Sequence, residues 1–256
     1  MKFTTVQWNI GGGKLLRKGA DPTLLNSYTV DGLHSIIDFL RAQDPDIITL
    51  QETHATEGYC QPQIIADALG YSGWVNDEWA ESHVEAGQRL GQGIISRYPI
   101  KKHSFELFTN PHFQALWENG TIATSHDKGR SRCSVLLEGK TKLMVQTLHT
   151  VPFRRFNIDI ASEPAKHVLV DMAERLITTQ VGIIQSDFNI DTNSLRPLFP
   201  SLFSAGFKEV EQPEPTTPKG HRYDHILYLG VELISSQMFT DVLTDHYPLV
   251  NHFTLS

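Results

Sequence analysis

Short apolar runs of strand length recur from one end of this chain to the other, and they leave room for only a few helices. Phe3–Ile10 reads as a strand that runs into a breaker, Gly11-Gly12-Gly13. Further strands are expected at Ile47–Leu50, Gly93–Ser96, Val181–Gln185, Tyr223–Leu229, Leu233–Ser236 and Leu249–Leu255. Cys133–Leu137 and Leu143–Leu148 read as a hairpin around Glu138-Gly139-Lys140. Helical spacing is found at residues 29–43, with Leu33, Ile36, Ile37 and Leu40 on one face, and at Pro62–Leu69. It returns at residues 163–179, through Val168, Leu169, Met172 and Leu176. Asp44-Pro45-Asp46 ends the first helix, because proline disfavours helical backbone in the residue before it. Pro164 falls in the first turn of the last helix, where proline is tolerated. Many strands with helices between strand pairs predict an α/β fold, with sheets packed together and helices outside them. The proline-rich segment Glu211–Lys219 is expected to be a surface loop. Nothing reads as a linker or a repeat, so one domain over residues 1–256 is expected.

Composition narrows the function classes. A chain of 256 residues can bury a sizeable core without staples. Its 40% hydrophobic and 20% charged residues exclude a disordered, collagenous or coiled-coil protein. No apolar run approaches the ~20 residues of a membrane span. With 22 Lys+Arg against 29 Asp+Glu, the net charge of −7 argues against a tight, sequence-blind grip on nucleic acid, while leaving room for a local basic groove. Two cysteines, Cys60 and Cys133, exclude a disulfide framework. The start, MKFTTVQWNI, lacks the charged-then-apolar pattern of a leader. A cytoplasmic protein with reduced thiols, a monomer, is the expectation.

The chemistry gathers where the strands end. Asn9 follows Trp8, Gln51-Glu52 follow Leu50, and His149 follows Leu148. Ser186-Asp187-Phe188-Asn189 follow the strand at Val181–Gln185, Asp224-His225 open the next, and Asp245-His246 precede Tyr247-Pro248. Carboxylates at several strand ends can converge on one sheet edge. A cluster of Glu, Asp, Asn and His suits a hard divalent cation and a phosphate ester. Such an ion polarises a phosphoryl oxygen and offsets developing charge.

These segments carry a resemblance. Trp8-Asn9-Ile10, Leu50-Gln51-Glu52-Thr53, Leu148-His149-Thr150, Ser186-Asp187-Phe188-Asn189, Tyr223-Asp224-His225-Ile226 and Thr244-Asp245-His246-Tyr247-Pro248 stand in the order of the endonuclease/exonuclease/phosphatase family, over residues 8–248. The resemblance implies a four-layer α/β sandwich, two packed mixed sheets flanked by helices. It also implies hydrolysis of phosphate esters with Mg²⁺ or Mn²⁺. By their motifs, Glu52 resembles the main metal ligand, Asn9 a helper acting directly or through water, and Asp245 the carboxylate that completes the metal site. Asp187 would orient or deprotonate the attacking water, as a residue of the metal site as well. Asn189 would hold that water or a phosphate oxygen. Asp224 and His246 resemble a coupled pair in which the acid fixes the imidazole tautomer, and His149 the histidine that donates to a phosphoryl oxygen.

Departures from the family's subgroups sharpen this. Ser186 stands where a glycine is usual. Gly11 and His54 stand where apurinic-site nucleases carry an acid and a lysine, and the tryptophan motifs of inositol polyphosphate 5-phosphatases are absent. The resulting expectation is a metal-dependent phosphodiesterase acting on nucleic acid or a small phosphodiester. The alternatives are a phosphomonoesterase or lipid-headgroup phosphatase, and an inactive binding module of the same fold. Arg130, Arg132, Arg154 and Arg155 offer bidentate phosphate contacts, against a solvated surface. Trp74, Trp79, Trp117 and Phe113 offer stacking on a base, against simple packing. The segments 77–92 and 108–130 are read as specificity loops.

Overall fold

The computed structural model describes residues 1–116, 120–138 and 141–255. The chain opens with β1 (Lys2–Asn9) and a 3-10 turn at Gly11–Gly13, followed by a short ribbon of β2 (Lys14–Leu16) and β3 (Tyr28–Asp31). Then come α1 (Leu33–Gln43), β4 (Ile47–Thr56), β5 (Tyr59–Cys60), α2 (Gln61–Leu69), β6 (Gly73–Glu81) and β7 (Arg89–Ser96). The middle of the chain supplies β8 (Ile100–Leu107), a second ribbon of β9 (Gln114–Leu116) and β10 (Ile122–Thr124), β11 (Gly129–Leu137) and β12 (Thr141–Leu148). It ends with α3 (Glu163–Leu176), β13 (Gly182–Asp187), α4 (Pro200–Ser204), β14 (Lys208–Glu209), β15 (Asp224–Leu229), β16 (Glu232–Met238) and β17 (Leu249–Thr254).

Two mixed sheets result. One runs β16-β17-β1-β4-β7-β6, with β5 paired to β4, and the other β14-β15-β13-β12-β11-β8. Val6, Trp8, Ile48 and Leu50 point outward from the first sheet and bury Ile36, Ile37 and Leu40 of α1 with Ile65 and Ala66 of α2. Leu148, Ile184 and Leu227 point outward from the second and bury Val168, Leu169, Met172 and Leu176 of α3. The facing sides meet through Phe3, Cys133, Val135, Val145, Ile183, Ile226 and Phe253. Helices, sheet, sheet, helices make the four layers. Each fully buried large apolar side chain contributes about 1.5–3 kcal/mol of transfer free energy.

Between the sheets the filling changes from apolar to polar toward one edge. Gln7 donates from Nε2 to Gln51 Oε1 at 2.7 Å and to Asp224 Oδ1 at 2.9 Å. Gln51 Nε2 donates to Thr147 Oγ1 at 2.8 Å, and Thr5 Oγ1 to Gln185 Oε1 at 2.5 Å. These buried amides must be paired to repay their desolvation, and pairing them fixes one sheet against the other beside the strand ends.

The strand and helix reading holds at its centre and shifts at its margins. The helix expected over residues 29–43 begins only at Leu33, because Tyr28–Asp31 pairs with β2 as a strand. It ends at Asp44, whose φ of +46° is a left-handed cap. Segment 77–92 is largely the β6–β7 hairpin rather than a loop. The expected surface loop at Glu211–Lys219 turns inward at Thr216 and Thr217, both buried. The hairpin of β11 and β12 forms as expected, with Gly139 and Lys140 of its turn outside the described residues. Among the described residues no helix is long and apolar enough to cross a membrane.

Candidate active site

The register of the sheets brings the strand-end residues together. Parallel pairing of β1 with β4 sets Asn9 beside Gln51, just before Glu52. Antiparallel pairing of β13 with β15 sets Asp187 opposite Asp224, and a bridge sets His149 beside Asp187. The segment leading into β17 brings Asp245 and His246 over the same edge. There Trp8 Nε1 donates to Thr244 Oγ1 and to the His246 carbonyl, both at 3.1 Å. All but two of the eight expected site residues line one cavity of about 910 Å³. The exceptions, Asn9 and Asp224, are buried directly beneath it.

Asp187 is the hub of the floor. Its Oδ2 accepts from Asn9 Nδ2 at 2.9 Å and lies 3.4 Å from His149 Nε2 and 3.7 Å from His246 Nε2. Its Oδ1 accepts from the Asn189 backbone N–H at 2.7 Å, and Asn189, at φ +51°, donates from Nδ2 to the Thr150 carbonyl. Burial pushes the Asp187 carboxyl up, but His246, His149 and Asn9 outweigh it and hold it well below the usual range. Behind the hub, Asp224 Oδ2 accepts from His246 Nδ1 at 2.8 Å and from Thr216 Oγ1 at 2.6 Å. Burial disfavours the His246 imidazolium, yet Asp224 and Asp187 overcome this and raise it well above the ordinary histidine value.

Glu52 reaches the cavity through a distortion. The β4–β7 register slips between Gln51 and Thr53, and Glu52 takes a φ of +53°. A bulge with a left-handed non-glycine residue costs of order 1–3 kcal/mol. It turns the carboxylate out of the sheet edge. Burial pushes Glu52 up, but His83, His149 and Lys128 hold it down near 2. Asp245 shows the opposite balance: burial, with Glu52 and Asp187 adding to it, pushes its carboxyl up to about 6. Glu52 Oε1 lies 3.8 Å from His149 Nε2. Gly11 is needed beside the Asp245 carboxylate, because its φ is +50° and a Cβ there would come within 2.9 Å of Asp245 Oδ1. Glu52 and Asp245 line the same cavity, and two such carboxylates offer oxygen ligands that fit a hard cation. Asp187, Asp224 and His246 also lie within 4.8 Å of one another. Asp224, however, is already engaged by His246, Thr216 and Gln7, so that trio is better described as a hydrogen-bonded acid–imidazole chain.

Sequence reading missed two participants. Lys128 is buried, with Nζ 2.9 Å from His149 Nε2, and burial pushes it down to about 8 against the pull of Glu52 and Asp187. Thr216 lies within the segment read as surface. Neither sits in a periodic run that could have marked it. Among the arginines, Arg154 and Arg155 line the cavity. Arg130 is buried against Glu106, Gln146 and the Arg175 carbonyl, a structural role, and Arg132 lies on β11 away from the cavity lining. Trp79 packs edge-on against His149, with ring centroids 6.0 Å apart, and Phe113 packs on Phe153, so both are explained by packing. Trp74 is on β6 away from the cavity, and Trp117 lies outside the described residues.

The fold is a four-layer α/β sandwich, and solved structures share that fold. An endonuclease/exonuclease/phosphatase from Beutenbergia cavernae DSM 12333 superposes with a TM-score of 0.76 at 16% identity, covering 100% of this chain and 72% of that one. The human Nocturnin catalytic domain with bound sulfate gives 0.67 at 16% identity, covering 100% and 94%. The mannosyl-6-phosphatase Bt3783 of Bacteroides thetaiotaomicron VPI-5482 gives 0.55 at 13%, covering 99% and 100%. No curated protein matches the chain in sequence. The pattern of the Endonuclease/Exonuclease/phosphatase family matches residues 6–246, and the chain belongs to that family.

Proposed function

We propose that this protein is a divalent-metal-dependent phosphodiesterase, acting on nucleic acid or a small phosphodiester by attack of water at phosphorus. The observation that carries the reading is that two carboxylates, Glu52 and Asp245, line one cavity with a buried Asp187 hub that lies against two imidazoles. Glu52 and Asp245 would hold Mg²⁺ or Mn²⁺, with Asn9 and Asp187 at its edge. A bound ion supplies Lewis-acid polarisation of a phosphoryl oxygen. The side chains do the rest. Asp187, kept ionised and aimed by Asn9 and the Asn189 backbone, orients the attacking water and takes its proton. His246, kept cationic by Asp224, stabilises charge as it develops on the phosphoryl group while the P–O bond to the departing alcohol breaks, and the leaving oxygen takes a proton from solvent. Lys128 and His149 offer donors to its oxygens, and Asn189 frames the water. A second reading, phosphomonoester hydrolysis, is favoured by the four Lys and Arg side chains that line the cavity among the described residues. The two unpaired cysteines support a reducing, cytoplasmic setting.

The test is a hydrolysis panel with Mg²⁺, Mn²⁺ or EDTA. It holds bis-p-nitrophenyl phosphate, p-nitrophenyl phosphate, single- and double-stranded DNA, RNA and a phosphoinositide, with Asp187→Ala as control. Metal-dependent cleavage that disappears in the variant is expected, and the substrate cleaved names the ester. A folded protein that binds metal and cleaves nothing would favour a binding module.

A further inference from the structure

The glycine run that ends β1 is held more closely than a turn at a strand end requires. A Cβ on Gly11, Gly12 or Gly13 would run into a side chain in each case: Asp245 beside Gly11, the ring of His54 beside Gly12 and the amide of Gln61 beside Gly13. Only glycine permits so close an approach at these positive φ values. Gly11 and His54 are also the positions at which the chain departs from the apurinic-site nucleases. The turn therefore packs against the segments that carry two of the acids: Asp245 itself and, two residues before His54, Glu52.

Polar contacts fix the turn at both ends. At its start the Gly11 N–H donates to Asn9 Oδ1 at 3.0 Å, while Asn9 Nδ2 donates to Asp187 Oδ2. Further on, one buried side chain spans the gap to β4. Gln61, the first residue of α2, donates from Nε2 to the Gly12 carbonyl at 2.7 Å and accepts on Oε1 from the His54 N–H at 2.8 Å. Its Nε2 also lies 3.3 Å from the Tyr59 hydroxyl. β4 has just passed through the bulge at Glu52, where its pairing with β7 slips, and two residues later its backbone meets this amide. The His54 ring is fixed as well, against Gly12 and with Nε2 2.7 Å from Ser82 Oγ. A buried amide satisfied on both sides by the backbone of two different segments fixes their separation, since moving either one leaves a buried polar group unpaired.

We infer that Gln61 is a positioning residue for the cation site: by clamping the Gly11–Gly13 turn to β4 it sets the separation of the Glu52 and Asp245 carboxylates, and so which cation the pair accepts. The inference rests on the reading of Glu52 and Asp245 as metal ligands. Gln61 is not part of the cavity lining, so it acts through the two backbone segments that it joins. Mg²⁺ demands near-ideal octahedral geometry with oxygens at about 2.0–2.1 Å, whereas Ca²⁺ takes oxygens at about 2.3–2.6 Å in flexible arrangements. A slack clamp therefore costs Mg²⁺ more than it costs Ca²⁺.

The experiment measures cation choice on the full chain. Mn²⁺ binding is followed by the EPR signal of the free ion, and Mg²⁺ and Ca²⁺ dissociation constants by displacement of Mn²⁺. Gln61→Met keeps the length of the side chain and removes both backbone contacts. Gln61→Asn keeps the amide on a stem one methylene too short to span the gap, and it carries the test alone if circular dichroism shows Gln61→Met unfolded. Mg²⁺ is expected to bind about 10-fold more weakly, the loss typical when an outer partner of a metal site is removed, and Ca²⁺ only about twofold more weakly. The ratio of Ca²⁺ to Mg²⁺ dissociation constants then falls about fivefold. A ratio that stays within about threefold of wild type overturns the inference, whether both ions are kept or both are lost, because a merely structural amide would affect the two alike. Glu52→Gln and Asp245→Asn report separately on the metal site, since each should weaken Mn²⁺ binding. Mn²⁺ binding indifferent to both removes the metal-site reading and the inference with it. Binding lost in both, with the ratio unmoved in the Gln61 variants, leaves that reading standing and removes the inference alone.

Discussion

Asp224→Asn tests the acid–imidazole chain most directly. The substitution keeps the shape of a side chain that is fully buried and removes its charge 2.8 Å from His246 Nδ1. At a charge separation of roughly 4 Å and an effective dielectric of about 20, the lost attraction is about 4 kcal/mol, or about three pK units. Asp187 remains 3.7 Å from Nε2 and still favours the cation, so the fall is partial. His246 should change from an imidazolium that persists well above neutrality to a ring that titrates in the ordinary histidine range or below it. The assay is a pH titration of ¹³C/¹⁵N-histidine-labelled protein by NMR, beside steady-state turnover. Turnover should drop by a factor on the order of 10³–10⁴, the size seen when an acid–imidazole pair loses its charge elsewhere. A His246 midpoint that moves by less than about half a unit would refute the electrostatic argument, whatever happens to the rate.

Asp245→Asn should stabilise the metal-free protein while weakening metal binding. The folded value of Asp245, near 6, lies above its ordinary 3.8, so its ionisation works against the native state as pH rises from about 4 through 6. In EDTA the Tm advantage of the variant should therefore grow from pH 4 to pH 7, by no more than roughly 3 kcal/mol in equivalent stability, and saturating Mg²⁺ should reverse the order. Lys128→Met should lower kcat by about 10²-fold, the loss expected for one preorganised donor, with far-UV circular dichroism unchanged; a rate within threefold of wild type would remove Lys128 from the chemistry. Cys133 is buried and its thiol is pushed up to about 12 by burial, with Asp77 adding to it. Ellman's reagent at pH 8 should titrate Cys60 alone in the native protein and both thiols in guanidinium chloride.

Where one face of an element is apolar, the sequence alone located it. α2 was expected at Pro62–Leu69 and spans Gln61–Leu69, and β13 was expected at Val181–Gln185 and spans Gly182–Asp187. The strands that escaped notice are edges. β6 reads GWVNDEWAE, with only Gly73 and Trp79 buried, and β8 reads IKKHSFEL, with no residue buried. An edge strand is kept polar to discourage pairing with other chains, and that polarity erases the alternation by which a strand is recognised. Expected site residues all came to one sheet edge because each follows or begins a strand, and register does the rest. Lys128 and Thr216 were illegible for the opposite reason. Each stands in an irregular segment, and its place depends on contacts across 21 and 8 residues, to His149 and Asp224. The bulge at Glu52 was equally hidden, since Gln-Glu-Thr carries no glycine to mark a left-handed turn.

The first sheet closes late. β1 lies between β4 and β17, and the Met1 amine donates to the Leu255 carbonyl at 2.7 Å across a separation of 254 residues. A chain leaving the ribosome therefore displays Asn9 and Glu52 long before Asp245, His246 and β17 exist to cover them. Until β17 arrives, β1 offers an open edge on that side, and Trp8 lacks the Thr244 and His246 partners that hold it. Contacts of such sequence separation form slowly. The consequence is an order of assembly: the acid–imidazole edge cannot form until the segment that carries Asp245, His246 and β17 has been made. The same closure makes β17 the strand whose loss should leave the most aggregation-prone surface.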